Sequence, residues 1–282
     1  MKSSVCWLKT GHGLVDMIHG IAWSCDVYFY KVGGGYEGEV DGIGLGIERL
    51  GTWMRNFGLG DYTGVELAGE NPGVIVDPAW KRRVWGENWS TGDNYNAAFG
   101  QGYITATPLQ MINVLNTLAN NGIRTRPTLI REIIDADGRV VQGFEPDVIS
   151  ELPASPENIR VVQEGMRAAV TIEGGTALAA QEDYLPYVPI AAKTGTAEFC
   201  DNVAAALDRC IPGAWPSHAW YMSYAPYGDP EISVIAFLYN GGEGSIVALP
   251  VASRVMDDYF RLKTERALQA SIDQPTPVAP AQ

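Results

Sequence analysis

The chain has 282 residues, 20 Lys+Arg against 33 Asp+Glu, a net charge of −13 and 46% hydrophobic residues. That is enough chain for a sizeable core and too apolar for general disorder, and it carries no basic patch of the kind that neutralises phosphates, so nucleic-acid binding is excluded. No uninterrupted apolar run reaches the ~18 residues of a membrane span. Met1-Lys2-Ser3-Ser4 leads directly to Cys6, Trp7 and a Gly-His-Gly turn, not to a signal peptide. Either the protein is cytoplasmic, or an export and anchoring segment lies outside these residues.

Val15–Lys31 reads as one helix, with Val15, Ile18, Ile21 and Ala22 on one side and Gly33-Gly34-Gly35 as its breaker. Ile47–Phe57 reads as a second, with Leu50, Trp53, Met54 and Phe57 at helical spacing and Gly58 beyond its end. Asp61–Lys81 is turn-rich and is expected to wrap the surface. Thr107 can cap a third helix whose first turn accepts Pro108; Leu109, Ile112, Val114, Leu115 and Leu118 form its buried face. Leu129–Ile134 and Arg139–Val141 flank Asp135-Ala136-Asp137-Gly138, a hairpin by its turn chemistry.

Pro156–Val170 is expected to be helical, burying Ile159, Val162, Met166 and Ala169. Val188–Glu198, His218–Tyr224 and Ile232–Tyr239 are β-rich, the last two joined by Pro226-Tyr227-Gly228-Asp229-Pro230. Leu249–Leu262 closes the domain as a helix, giving a domain over 1–265 and a Pro-rich tail over 266–282 that is expected to be disordered. Helices, then consecutive strands, then a helix indicate an α+β fold.

Lys193-Thr194-Gly195-Thr196 stands in an apolar, strand-forming run. A lysine there is costly unless it faces a cleft, and the glycine lets a peptide lie close to the strand; the plain alternative is a strand ending in a polar turn. Ser24-Cys25-Asp26 precedes the anchoring run Val27-Tyr28-Phe29-Tyr30; alone it reads equally as a helix cap. Cys6, His12 and Cys25 offer sulfur and imidazole donors of the kind that suit Zn²⁺, or are two buried cysteines and a turn histidine. Cys200 and Cys210 can form a disulfide in an oxidising compartment, ligate a metal, or stay reduced. His19 and His218 have no such partners. Trp215, Trp220 and Tyr221 are expected to pack under a strand.

Together the motifs change the reading. Ser-x-x-Lys, Ser-Asp-Asn and Lys-Thr-Gly are the set shared by penicillin-binding proteins and serine β-lactamases, and here Ser24-x-Asp26 precedes Lys193-Thr194-Gly195 by 169 positions. The segments Gly11-His12-Gly13, Ser24-Cys25-Asp26-Val27-Tyr28-Phe29-Tyr30, Tyr62-Thr63-Gly64-Val65-Glu66-Leu67, Gly100-Gln101-Gly102-Tyr103, Ala106-Thr107-Pro108-Leu109-Gln110, Gly174-Gly175-Thr176-Ala177 and Lys193-Thr194-Gly195-Thr196-Ala197 resemble the elongation-type class B penicillin-binding proteins (the penicillin-binding protein 2 family), over roughly residues 6–262.

The resemblance implies a transpeptidase fold: an antiparallel sheet flanked by helices, with a mainly helical subdomain. It implies cross-linking of peptidoglycan stem peptides through a serine acyl-enzyme, binding of β-lactams, a cell-elongation glycosyltransferase partner, a role in cell shape, and a place at the outer face of the bacterial inner membrane. Ser24 then relays protons to the leaving amine, Asp26 holds the catalytic lysine and the substrate amide, and Lys193 supplies positive charge and keeps Ser24 polarised. Thr194, Gly195 and Thr196 bind the substrate, with the Thr196 N–H as half of an oxyanion hole. Cys6, His12 and Cys25 match three ligands of a zinc seen in some family members.

One departure is large. The residue three places before each lysine is Cys6, Tyr28, Pro78, Ile190 or Phe260, and Lys2 is too near the start, so Ser-x-x-Lys is absent. The expectation is a C-terminal part of a longer protein, with nucleophile, first strands and membrane anchor preceding Met1, and no acyl-enzyme formed unaided. A β-lactam-hydrolysing relative and a non-catalytic binding protein are the alternatives.

Overall fold

The structure, a computed structural model, describes residues 6–42 and 44–272. Its centre is an antiparallel sheet in the order β5 (Ala191–Glu198), β6 (Ser217–Ala225), β7 (Ile232–Leu238). Pleating sends alternate side chains to opposite faces, and each face of β5 meets a different core. Ala192 lies with Ala219, Tyr221, Leu249, Ala252, Met256 and Phe260, where the closing helix α9 (Leu249–Ile272) packs. Ala191 lies on the other face, with Tyr224 and with Ile21, Leu115, Leu118 and Met166 of three helices. Lys193 shares the side of Ala191, so the pleat points it at the helices.

Those helices are α1 (Met17–Ala22), α6 (Pro108–Ala119) and α7 (Pro156–Ala168). α1 and α7 touch closely because Gly165 has no Cβ; one built there would stand 2.8 Å from Ile21 Cβ. Thr107 and Gln110 form a reciprocal capping box at the start of α6. Gln110 is buried, and its amide nitrogen also donates to the carbonyls of Asp61 (2.9 Å) and Pro72 (2.8 Å), tying down the turn-rich stretch.

A smaller helical layer holds α2 (Asp26–Gly34), α3 (Gly46–Asn56), α4 (Pro78–Trp85) and α5 (Thr91–Ala98) around Ile47, Val76 and Ala97. Its buried lysine, Lys81, bonds Asp93 at 2.8 Å. Two small ribbons, β1 (Ile123–Thr125) with β4 (Val148–Glu151) and β2 (Glu132–Ile134) with β3 (Val140–Gly143), project from the end of α6.

Four expectations need correcting. Val15–Lys31 is not one helix: α1 stops at Ala22, Ser24 turns into the left-handed region at φ 50°, and α2 begins at Asp26. Residues 78–85 leave the turn-rich stretch as α4, because Asp77 caps the helix through the Trp80 N–H and Pro78 fits its first turn. The closing helix runs on through residues 266–272; the remainder of the expected tail lies outside the described residues. Tyr221 is fully buried under the sheet as expected, whereas Trp215 is exposed.

Candidate active site

The break between α1 and α2 builds the site. Trp23 closes α1, the Ser24 N–H bonds the Ile21 carbonyl at 3.2 Å, and Cys25 takes an extended conformation as the cap of α2. The left-handed turn costs about 1–2 kcal/mol for a residue with a Cβ. It turns the Ser24 hydroxyl toward β5, where Lys193 Nζ donates to Ser24 Oγ at 2.9 Å and to the Thr194 carbonyl at 2.7 Å. Burial pulls the Lys193 pKa down to about 8, and the charge of Asp26 acts the other way. Burial raises the Asp26 pKa, against the Trp7 N–H and the charges of Lys193 and His12. Its Oδ2 accepts from that Trp7 N–H at 3.2 Å.

Ser24, Asp26 and Lys193 therefore come together as the sequence suggested. Thr194, Gly195 and Thr196 follow on the same strand but are partly engaged within the chain. Thr194 Oγ1 meets Thr176 Oγ1 at 2.8 Å, Thr196 Oγ1 accepts from the Gly244 N–H at 3.4 Å, and Gln101 Nε2 donates to the Thr196 carbonyl at 3.3 Å. Gly195 lies opposite Trp220, and an added Cβ would stand 3.2 Å from Trp220 Cβ. Gly244 packs harder still: its Cβ would fall 2.1 Å from the Trp220 carbonyl oxygen and 2.3 Å from that of Gly195. Trp7, Gln101 and Thr176 were not singled out from sequence chemistry. Gln101 and Thr176 stood only inside resemblance motifs, and nothing local to Trp7 marks it.

Behind Ser24, the ligand atoms of Cys6, His12 and Cys25 lie within 4.8 Å of one another, with Cys6 Sγ and His12 Nδ1 at 3.4 Å. Burial raises the Cys25 thiol pKa, and its neighbour Cys6 adds to the rise. No other such group occurs among the described residues. Cys200 and Cys210 form a disulfide across the loop after β5. His19 pairs with Asp16 at 2.7 Å, and His218 stacks on Phe199 with ring centres 3.8 Å apart; neither approaches the site residues as a ligand.

A strand-borne lysine meeting a serine at a helix break, with a Thr-Gly-Thr edge beside it, brings together the Ser-x-Asp and Lys-Thr-Gly elements of the motif set read in the sequence. Residues 5–257 match the penicillin binding protein transpeptidase domain, and the chain belongs to that family. It is 35% identical to the peptidoglycan D,D-transpeptidase MrdA of Haemophilus influenzae over 90% of this chain and 38% of that one. It is 33% identical to MrdA of Escherichia coli K12 over 86% and 36% respectively. PBP2 of Pseudomonas aeruginosa superposes with a TM-score of 0.71 at 31% identity, covering 90% of this chain and 51% of that one. PBP2 of Helicobacter pylori gives 0.70 at 26%, covering 91% and 42%. The chain thus spans less than two thirds of the length of these relatives. The fold is the α+β transpeptidase fold.

A lysine with a pKa near 8 gives a measurable signature. The folded state holds this proton more weakly than the unfolded chain, whose lysine titrates near 10.5. Its contribution to stability is therefore absent below about pH 8 and grows as pH rises toward 10.5. NMR of ¹³Cε-lysine should show Lys193 titrating near 8, and Lys193→Met should abolish its share of the rise in Tm above that pH. A midpoint at 10.5 would show that the ammonium is solvated.

Proposed function

We propose that these residues are the substrate-handling part of a peptidoglycan D,D-transpeptidase that also binds β-lactams. The observation that carries the reading is the 2.9 Å contact between Lys193 Nζ and Ser24 Oγ. With the lysine donating to its oxygen, the Ser24 hydroxyl keeps its own proton free to donate outward. A serine nucleophile passes its proton to the lysine of its own motif and bonds to the carbonyl carbon of a stem peptide. The C–N bond then breaks, the departing amine takes the Ser24 proton, and Ser24 recovers one from Lys193. Lys193 supplies positive charge for the substrate carboxylate, and Asp26 fixes the lysine of the nucleophile motif and the substrate amide. Thr194, Gly195 and Thr196 align the peptide along the edge of β5, the Thr196 N–H facing the developing oxyanion. The 282 residues contain no Ser-x-x-Lys, so these groups assist a nucleophile that they do not supply.

The relatives' names support the setting. One solved neighbour is a complex of PBP2 with MreC from H. pylori, at 27% identity and a TM-score of 0.68. Another concerns a peptidoglycan synthase complex that coordinates polymerisation and crosslinking, at 32% and 0.68. We read the whole protein as acting with an elongation glycosyltransferase on the extracytoplasmic face of the inner membrane. The Cys200–Cys210 disulfide supports an oxidising compartment. Among the described residues no helix is long and apolar enough to cross a membrane.

Fluorescent penicillin tests the reading. The 282-residue chain should not be labelled, whereas a longer protein carrying Ser-x-x-Lys should be, and Lys193→Ala should slow that labelling by roughly 10²–10³-fold. Labelling of the short chain, or an unchanged rate in the variant, contradicts it.

The donor set of Cys6, His12 and Cys25, two thiols and an imidazole within 4.8 Å, fits a structural zinc that would need one more ligand. Bound there, zinc would cross-link the segment before α1 to the cap of α2 and hold Ser24 and Asp26 toward the cleft without touching substrate. The longer protein should then carry one zinc, and Cys25→Ser should lower Tm and labelling rate together. A zinc-free protein whose Tm and labelling rate survive Cys25→Ser would remove the metal.

A further inference from the structure

Each carbonyl at the end of α1 has found a donor. A helix leaves its last carbonyls without partners inside the helix. Here the Gly20 carbonyl accepts from the Cys25 N–H at 2.9 Å and the Ile21 carbonyl from the Ser24 N–H at 3.2 Å. That double closure usually has glycine at the left-handed position, which Ser24 fills here. The Ala22 carbonyl accepts from the Thr176 N–H at 3.1 Å. The carbonyls of Trp23 and Ser24 both accept from the indole N–H of Trp7, each at 3.0 Å. None of the catalytic roles assigned above uses Trp7.

The shared donor constrains the turn. Successive carbonyls point to opposite sides of an extended chain, and to the same side only where the residue between them has a helical conformation. One N–H therefore holds the Trp23 and Ser24 carbonyls together only while Ser24 keeps its left-handed turn at φ 50°. Ser24 carries a Cβ in a place that suits glycine, so the turn needs outside support. The support is tethered at its other end. The Trp7 backbone N–H donates to Asp26 Oδ2 at 3.2 Å, so one residue grips both Ser24 and Asp26. Packing does not account for the indole. Trp7 is 55% exposed and meets His12 edge-on, so little of its apolar area leaves water while its N–H points inward.

We propose that Trp7 is a positioning residue of the site: its indole N–H clamps the left-handed turn that aims the Ser24 hydroxyl at Lys193. Its effect on catalysis rests on the transpeptidase reading, in which that hydroxyl hands its proton to the departing amine. With the N–H removed, Ser24 relaxes toward the ordinary right-handed region, its hydroxyl swings off Lys193 Nζ, and the strand loses its link to the helix break. The Asp26 contact is made by the Trp7 backbone and survives a side-chain change, so substitution there isolates the Ser24 arm.

The test removes one N–H. Trp7→3-benzothienylalanine puts sulfur in its place and keeps the ring outline, Trp7→Phe is the genetic counterpart, and Trp7→5-fluorotryptophan retains the N–H as a control. In the 282-residue chain, urea unfolding gives the coupling between Ser24→Ala and Lys193→Met in each background. That coupling should fall by roughly half or more without the N–H and persist in the control. In a longer protein carrying Ser-x-x-Lys, the rate constant of penicillin acylation should drop roughly tenfold, with the noncovalent affinity unchanged. The drop should vanish in the Ser24→Ala background. A general loss of stability with the coupling intact would mean a merely structural role and overturn the proposal. So would an acylation defect just as large in Ser24→Ala, since Trp7 would then not act through Ser24. A lost coupling in a chain whose longer form penicillin never labels would support the clamp and sink the transpeptidase reading instead.

Discussion

An ammonium taken out of water needs a partner, and among the described residues Lys193 has only a hydroxyl and a carbonyl at hydrogen-bond distance, with the Asp26 charge nearby. The helix break at Ser24 places that hydroxyl. A continuous helix over Val15–Lys31 would carry Ser24 around with its neighbours, and the left-handed residue at φ 50° is what turns it out toward the strand. The rest of the architecture holds the two sides of this contact at a fixed separation. Gly165 lets α7 close on α1, Thr176 ties the segment after α7 to Thr194, and Gly244 presses the turn before α9 against Gly195 and Trp220. Sheet and helical layer are thus referenced to each other at several points around one bond.

The same turn has a back and a side. Cys25 follows Ser24 as the cap of α2 and faces away from the strand, into the group with Cys6 and His12. Trp7, next to Cys6, crosses over the turn and bonds the carbonyls of Trp23 and Ser24. Its backbone N–H holds Asp26. The segment before α1 therefore contacts both the catalytic turn and the thiol–imidazole group.

Much of this was legible in the sequence where local chemistry and periodicity agree. The β-rich runs at Val188–Glu198, His218–Tyr224 and Ile232–Tyr239 became β5, β6 and β7, and the Thr107-Pro108 start of α6 is capped as expected. The pairing of Ser24-x-Asp26 with Lys193-Thr194-Gly195 was readable because few folds need those residues at that separation. The helix break was not, since Trp23, Ser24 and Cys25 contain neither Gly nor Pro, and the conformation of Ser24 is imposed by tertiary contacts such as the Thr176 N–H on the Ala22 carbonyl. Helix α4 was hidden by its Lys81-Arg82-Arg83 charge run and α5 by a polar composition that includes Gly92. Trp7 was invisible because its partners lie 16 to 19 residues away and are backbone carbonyls and a carboxylate, which leave no pattern in sequence.

The central claim is that the Lys193–Ser24 bond links strand to helix break, and a double-mutant cycle measures it directly. Urea unfolding of the chain with Ser24→Ala, Lys193→Met and both together isolates the coupling from the loss of either side chain alone. A hydrogen bond to a charged donor in a partly buried site predicts a favourable coupling of about 1.5–3 kcal/mol. Additivity of the two substitutions within about 0.5 kcal/mol would mean that the two groups fold independently and that the contact does not organise the site.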